Sequence, residues 1–181
     1  GGAGDVTRNM HLYQYKDEIL IVDCGLGFAD ETMIGVELLI PDISYLKSAV
    51  ASGKKIVGMA ISHGHEDHFG ALPFILPELP SFPIYGTSLT SEFANSKLKE
   101  FGLAHRVQKV EFDGGEVKVG SFSLNFIRVT HSVPDSSNIF IKTPIGNFYH
   151  GSDFKFDLTP FDGKKPDFNK ISNLSKQGVI C

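Results

Sequence analysis

The residues of this chain best suited to chemistry lie in "SHGHEDHF", positions 62–69, where three histidines and two carboxylates fall within six residues. Imidazole nitrogens and carboxylate oxygens at that density are ligands for divalent cations. A solvated face needs no such crowd of imidazoles, and an apolar core does not tolerate one. His63 and His65 are two apart just past an apolar run. In extended backbone both rings project to the same side, which suits one ion. Asp67 and His68 follow where the chain turns into the next helix, aimed at a second point close to the first. This spacing differs from the helical H-E-x-x-H zinc signature, whose histidines are four apart.

Two coordination shells need further donors. His131 in "RVTHSVPDS" and Asp153 in "FYHGSDFKFD" each end an alternating strand, where a lone polar residue is ordinary. With the first cluster they complete a set, and Asp153 can bridge two ions through its two oxygens. Imidazole and carboxylate donors without thiolate fit Zn2+ or Mn2+. Cations of that kind lower the pKa of a water between them toward roughly 7 and neutralise negative charge on a group under attack. Asp67 is expected both to ligate and to orient the nucleophile, beside His68. Asp23, in "IVDCGLG", reads either as a loop cap or as an acceptor that orients a ligand imidazole through its other N–H. Ser132 and Asp135, in "HSVPDS", lie beside the site by sequence and read either as contacts to the leaving part of a substrate or as plain turn residues. His11, His105 and His150 carry no partner nearby in sequence and read as ordinary polar residues, His150 on the opposite strand face from Asp153.

The elements that must position these groups follow from the hydrophobic pattern. "MHLYQYKDEILIVDCGLGF" reads as two strands joined at Lys16-Asp17-Glu18, the second (Ile19 to Asp23) continuously apolar and so central. "PDISYLKSAVASGKK" places Ile43, Leu46, Ala49 and Val50 at helical spacing with Asp42 as N-cap. "KIVGMAIS" is a buried strand that delivers the chain to His63. Ala71 to Leu79 reads as a short helix interrupted by Pro73 and Pro77, followed by strand "FPIYG". A helix from Ser88 to Phe101 carries Leu89, Phe93 and Leu98 on one side. From Val107 to Asp157, alternation and the turn signals "DGG", "VGS" and "TPIGN" predict hairpins. "KQGVIC" reads as the start of a further strand. The expected class is α+β, two mixed sheets covered by helices in one domain.

Composition sets outer bounds. With 181 residues, 41% hydrophobic, the chain can bury a core. A net charge of -4 argues against a basic coat that binds any polyanion, so nucleic acid would need a local groove. The basic stretch "KLKEFGLAHRVQK", with Lys97, Lys99, Arg106 and Lys109, reads as a groove wall or, more simply, a solvated face. No apolar run reaches the length of a membrane span and no signal-peptide pattern opens the chain. Two cysteines, Cys24 and Cys181, suggest no disulfide framework, so a reducing cytoplasm is expected. There is no initiator Met and both ends read as cut, the mark of a piece of a longer protein.

"SHGHEDHFGALPFIL", "THSVPDS" and "GSDFKFD", together with "GGAGDVTRN", "VDCGLGF", "PDISYL" and "FDLTPFDG", resemble the metallo-β-lactamase superfamily, specifically its β-CASP ribonuclease J branch. The likeness runs along almost the whole chain. It implies a four-layer αββα sandwich with a two-zinc site at the sheet edges, residues 1–181 being one metallo-β-lactamase portion without the inserted β-CASP domain and C-terminal region. On that resemblance His63, His65 and His131 hold one zinc, Asp67 and His68 the other, and Asp153 bridges. A further histidine of the second zinc falls downstream in the family. Ser152 departs from the family's usual Gly; Ser is expected to be tolerated there, a shift of that loop being the alternative. The implied function is a zinc-dependent ribonuclease, endonuclease and 5′-to-3′ exonuclease, hydrolysing RNA phosphodiesters with an activated hydroxide in RNA processing and decay. Its partner would be 5′-monophosphorylated RNA, no membrane is implied, and the full-length protein would be a homo-oligomer. A small-molecule hydrolase acting on thioesters or lactams, a DNA or mRNA 3′-end nuclease of the same group, and an inactive truncated chain remain the alternatives.

Overall fold

The computed structural model describes residues 4–104 and 106–181; His105 lies outside the described residues. The chain opens with the hairpin β1 (His11–Tyr15) and β2 (Glu18–Val22), with Lys16 at φ 51° in its turn. A two-stranded ribbon follows, β3 (Gly27–Phe28) with β4 (Leu38–Leu39), then helix α1 (Ser44–Ala51) and strand β5 (Lys55–Ile61). The histidine-rich segment runs into the short helices α2 (Glu66–Phe69) and α3 (Leu72–Ile75) and a 3-10 turn at Leu76–Glu78. Strand β6 (Ile84–Gly86), helix α4 (Ser88–Glu100) and strand β7 (Val107–Lys109) complete the first half. The second half is β8 (Val117–Val119), β9 (Phe122–Arg128), β10 (Ser137–Thr143), β11 (Gly146–His150) and helix α5 (Phe168–Ser175).

The strands form two stacked sheets. The first has the order β1-β2-β5-β6-β7, with β1 antiparallel and the others parallel. The second, β11-β10-β9-β8, is antiparallel throughout. The unbroken apolar run of β2 now has a reason: Ile19 and Ile21 face α1, α3 and α4, while Leu20 and Val22 face the second sheet. Phe122, Leu124, Phe126, Ile139 and Ile141 fill the space between sheets. Gly58 stands where the sheets press closest, since a Cβ there would fall 2.5 Å from Val119 Cγ1. Outside the second sheet, Leu174 and Ile171 of α5 cover Ile127 and Phe140. Helices, sheet, sheet and helix make the four layers of an αββα sandwich.

Several expectations are corrected. The outer layer α5 was not legible, because "PDFNKISNLSKQG" holds too few apolar residues. The second sheet is not mixed, and β7 joins the first sheet in parallel rather than a hairpin. Within 71–79 the break falls at Pro77, where α3 gives way to a 3-10 turn, but Pro73 stands in the first turn of α3 and does not interrupt it. Helix α4 buries Thr90, Ser91, Ala94 and Leu98, leaving Phe93 exposed, because small residues let it sit close to β6. Asp42 lies one residue outside the N-cap position of α1, though its carboxylate accepts from Ser44 N at 2.8 Å. Residues 178–181 are not a strand; they only hydrogen-bond the β11 edge, through Ile180 N to Asn147 O and Tyr149 N to Cys181 O.

Candidate metal centre

Four chain segments leave the two sheets at one edge, and each carries donors. β2 ends at Asp23, β5 at Ser62 and His63, β9 leads to His131, and β11 leads to Asp153. The sheets are pinned together there by Ser137, whose N–H and hydroxyl both donate to Ser62 O, at 3.0 and 2.7 Å. The histidine loop is held by backbone rather than by side chains. Asn9 N donates to Asp67 O, Cys24 N to His68 O and Leu26 N to Glu66 O, at 3.1, 2.7 and 2.9 Å. Gly25 permits this approach, because a Cβ on it would fall 1.6 Å from Asp67 O. Lys97 of α4 adds a salt bridge to Glu66 at 2.5 Å, so one cation of the basic stretch serves the loop.

The structure brings all six expected ligands together. Donor atoms of His63, His65 and His131 lie within 4.8 Å of one another, as do those of His63, His68 and Asp153. His63 Nε2 and His65 Nδ1 are 3.1 Å apart. Two nitrogens each about 2.0–2.1 Å from one tetrahedral ion stand roughly 3.4 Å apart, so the spacing fits a shared cation. His68 Nε2 is 3.5 Å from Asp67 Oδ2. Asp153 Oδ2 is 3.8 Å from His68 Nε2 and 3.6 Å from His131 Nε2, within reach of both groups. The donor set and its spacing therefore fit divalent metal.

Protons behind the ligands are assigned by counting partners. Asp23 is buried in a left-handed conformation, φ 64°, and accepts from Ser62 N at 2.7 Å and Ser62 Oγ at 2.9 Å. It also receives His68 Nδ1 at 2.8 Å, so it combines both roles open in the sequence, cap and acceptor. Ser62, having donated its only hydrogen, accepts from Ser152 Oγ at 2.8 Å and from His63 Nδ1 at 3.0 Å. His63 and His68 thus carry their protons on Nδ1 and turn Nε2 lone pairs to the site. Burial, reinforced by His68, lowers the His63 pKa to about 3, which keeps the ring neutral. Burial and His65 lower His131 as well. For Asp23 and His68 burial is the largest influence and opposes charge, yet their hydrogen bond and the opposite charges around them together outweigh it, lowering the carboxyl and raising the imidazole.

Ser132 and Asp135 separate. Ser132 Oγ sits at the rim, 3.3 Å from His65 Nε2. The Asp135 carboxylate turns inward, accepting from Leu89 N at 3.0 Å and approaching Arg128 at 3.4 Å. It anchors the His131 loop to α4. His150 is not an ordinary surface residue: it is buried, with Nδ1 3.0 Å from the Tyr13 hydroxyl, Nε2 4.0 Å from Asp23 Oδ2 and its ring edge-on to His11. Ser62, Ser152 and Asn9, whose Nδ2 lies 3.4 Å from Asp67 Oδ2, had no role in the sequence reading. Only the adjacency of Ser62 to His63 and the Ser-for-Gly departure at 152 offered a signal.

The sequence model described as metallo-beta-lactamase superfamily matches residues 3–169. The chain belongs to the metallo-beta-lactamase superfamily. It is similar to Ribonuclease J of Thermus thermophilus, 42% identical over 99% of this chain and 32% of the relative. It is similar to Ribonuclease J of Helicobacter pylori strain 26695, 37% identical over 99% of this chain and 26% of the relative. Ribonuclease J2 of Bacillus subtilis is 33% identical over 100% of this chain and 32% of its own length. The chain thus spans about a third or less of the relatives it matches. Among solved structures, the metallo-beta-lactamase fold protein YhfI of Bacillus subtilis superposes with a TM-score of 0.53 at 20% identity, covering 82% of this chain and 56% of that one. That likeness shows the fold alone. Among the described residues no helix is long and apolar enough to cross a membrane.

Proposed function

We propose that the chain is the metallo-β-lactamase portion of a ribonuclease J-like phosphodiesterase. It would cut RNA internally and 5′ to 3′ from a monophosphorylated end, in cytoplasmic RNA processing and decay. The observation that carries this reading is the cluster of five donors, His63, His65, His68, His131 and Asp153, with Asp67 3.5 Å from His68, lying in a chain whose relatives named ribonuclease J match at least 99% of its length. Two Zn2+ ions, with Mn2+ allowed by the same donors, would be held by His63, His65 and His131 and by Asp67 and His68, with Asp153 between. Such ions supply an ionised solvent nucleophile near neutral pH and offset phosphate charge.

The chain's own groups prepare the site. Asp23, directly and through Ser62, holds protons on the outer nitrogens of two imidazoles, so their inner lone pairs need no reorganisation. Asn9 Nδ2 holds the Asp67 main chain, donating to its carbonyl at 3.1 Å, and the Asp67 carboxylate would orient the attacking water. Ser132 at the rim would contact the leaving nucleotide, and Asp135 would act by holding the loop that presents it. The longer protein would be a homo-oligomer that binds RNA with segments beyond residues 1–181. His65→Ala in the full-length protein is expected to abolish RNA cleavage while circular dichroism stays unchanged. Retained cleavage, or turnover of thioesters with 5′-monophosphorylated RNA left intact, would overturn the reading.

A further inference from the structure

Beside the metal centre, on the His131 side, lies a cavity of about 310 Å3 that the ligand set leaves unused. One wall is the loop from His131 to Asp135, the other the segment from Lys155 to Lys164. Thr130 ties the two walls: its carbonyl accepts from Lys155 N at 2.7 Å and its hydroxyl from Asp157 N at 3.1 Å. The cavity's charges cancel in count, three cations (Arg128, Lys155, Lys164) against three carboxylates (Asp135, Asp157, Asp162). Arg128 is already paired with Asp135 at 3.4 Å and Lys155 with Asp157 at 3.3 Å. An anion gains little in such a space; a neutral, flat, polar-edged group fits it better.

Phe161 stands at the rim of this cavity, fully exposed at 110% of its reference area. It is no loose loop residue. Its turn is closed by Gly163 N donating to Pro160 O at 2.9 Å, with Gly163 at φ 70°, and Asp157 fixes the approach by accepting from Thr159 N at 2.9 Å. A ring presented to water on a turn closed by its own hydrogen bonds offers a flat face on which a base can stack. We propose that this cavity is a nucleobase subsite, in which the uncharged base of the nucleotide adjoining the scissile phosphate stacks on Phe161. The proposal rests on the ribonuclease reading, since the metal centre that shares His131 and Ser132 with the cavity would hold the phosphate.

The test uses a short single-stranded RNA and the same strand with one abasic residue beside the cleavage position. No Trp occurs in these 181 residues. The emission difference between Phe161→Trp and the parent protein therefore reports this site even if further Trp residues lie elsewhere. With metal supplied and the linkage at the cleavage position made resistant to hydrolysis, the intact strand is expected to quench that emission and the abasic strand to leave it nearly unchanged. With the ordinary linkage, Phe161→Ala is expected to raise KM for the intact strand about 5- to 100-fold with kcat kept. It should also erase the difference between the two strands, while Phe161→Tyr keeps it. Equal quenching by both strands overturns the subsite, as does an unchanged KM in Phe161→Ala. Loss of self-association in Phe161→Ala with an unaltered response to RNA also overturns it, making the ring part of a protein interface. Base-dependent quenching by a protein that cleaves no RNA supports the subsite and sinks the nuclease reading instead.

Discussion

The two halves of the metal centre are built in opposite ways. His63 and His68 are buried, their loop is sewn to residues 9–26 by main-chain hydrogen bonds, and their outer nitrogens end on Ser62 and Asp23. His131 and Asp153 stand on loops beyond the second sheet, with side chains 21% and 51% exposed. No hydrogen bond behind the Asp153 carboxylate compares with those behind His68. One half is part of the fold's interior; the other is presented to it. The contrast teaches that removing a group from the first half should cost stability and metal together, whereas removing one from the second should cost metal alone.

The sharpest break is Asp23→Asn. Asn in place of Asp leaves three buried donors, Ser62 N, Ser62 Oγ and His68 Nδ1, with one acceptor oxygen and no charge, a loss of about 3 kcal/mol. The urea midpoint of the metal-free protein should fall accordingly, and mass spectrometry under native conditions should find the bound metal reduced. An unchanged midpoint would show that the first half is not integral to the core. Ser62→Ala is a smaller cut, leaving His63 Nδ1 and the Ser152 hydroxyl without their acceptor, for a loss of about 1–3 kcal/mol. Its specific mark is metal affinity, expected to drop about 10- to 100-fold, with Ser62→Thr restoring it because the hydroxyl returns. Asp153→Asn should have the least effect on folding, within about 0.5 kcal/mol of wild type, as for most surface changes. Its isotherm by calorimetry should nevertheless lose affinity for both ions. A large loss of stability from Asp153→Asn would erase the distinction between the halves.

Much of this was written in short stretches of sequence. The H-x-H-x-D-H spacing is set by local backbone geometry, one strand end running into one helix start, so residues 63–68 disclose their chemistry without reference to anything distant. The apolar runs at 19–22 and 55–61 disclose buried strands for the same reason: a strand covered on both faces has no polar positions to spare. Tertiary structure decided everything whose meaning depends on a partner. Ser62 and Ser152 are 90 positions apart, and a serine in isolation is as ordinary as any other until its hydroxyl meets Asp23 or His63. His150 looked unpartnered because Tyr13 lies 137 positions away on the edge strand of the other sheet. The polar helix α5 could only be seen once the second sheet offered Ile127 and Phe140 to be covered. Spacing along the chain fixes what near neighbours can do; which strand lies beside which is settled by burying two sheets against each other, and that brings distant donors to one edge.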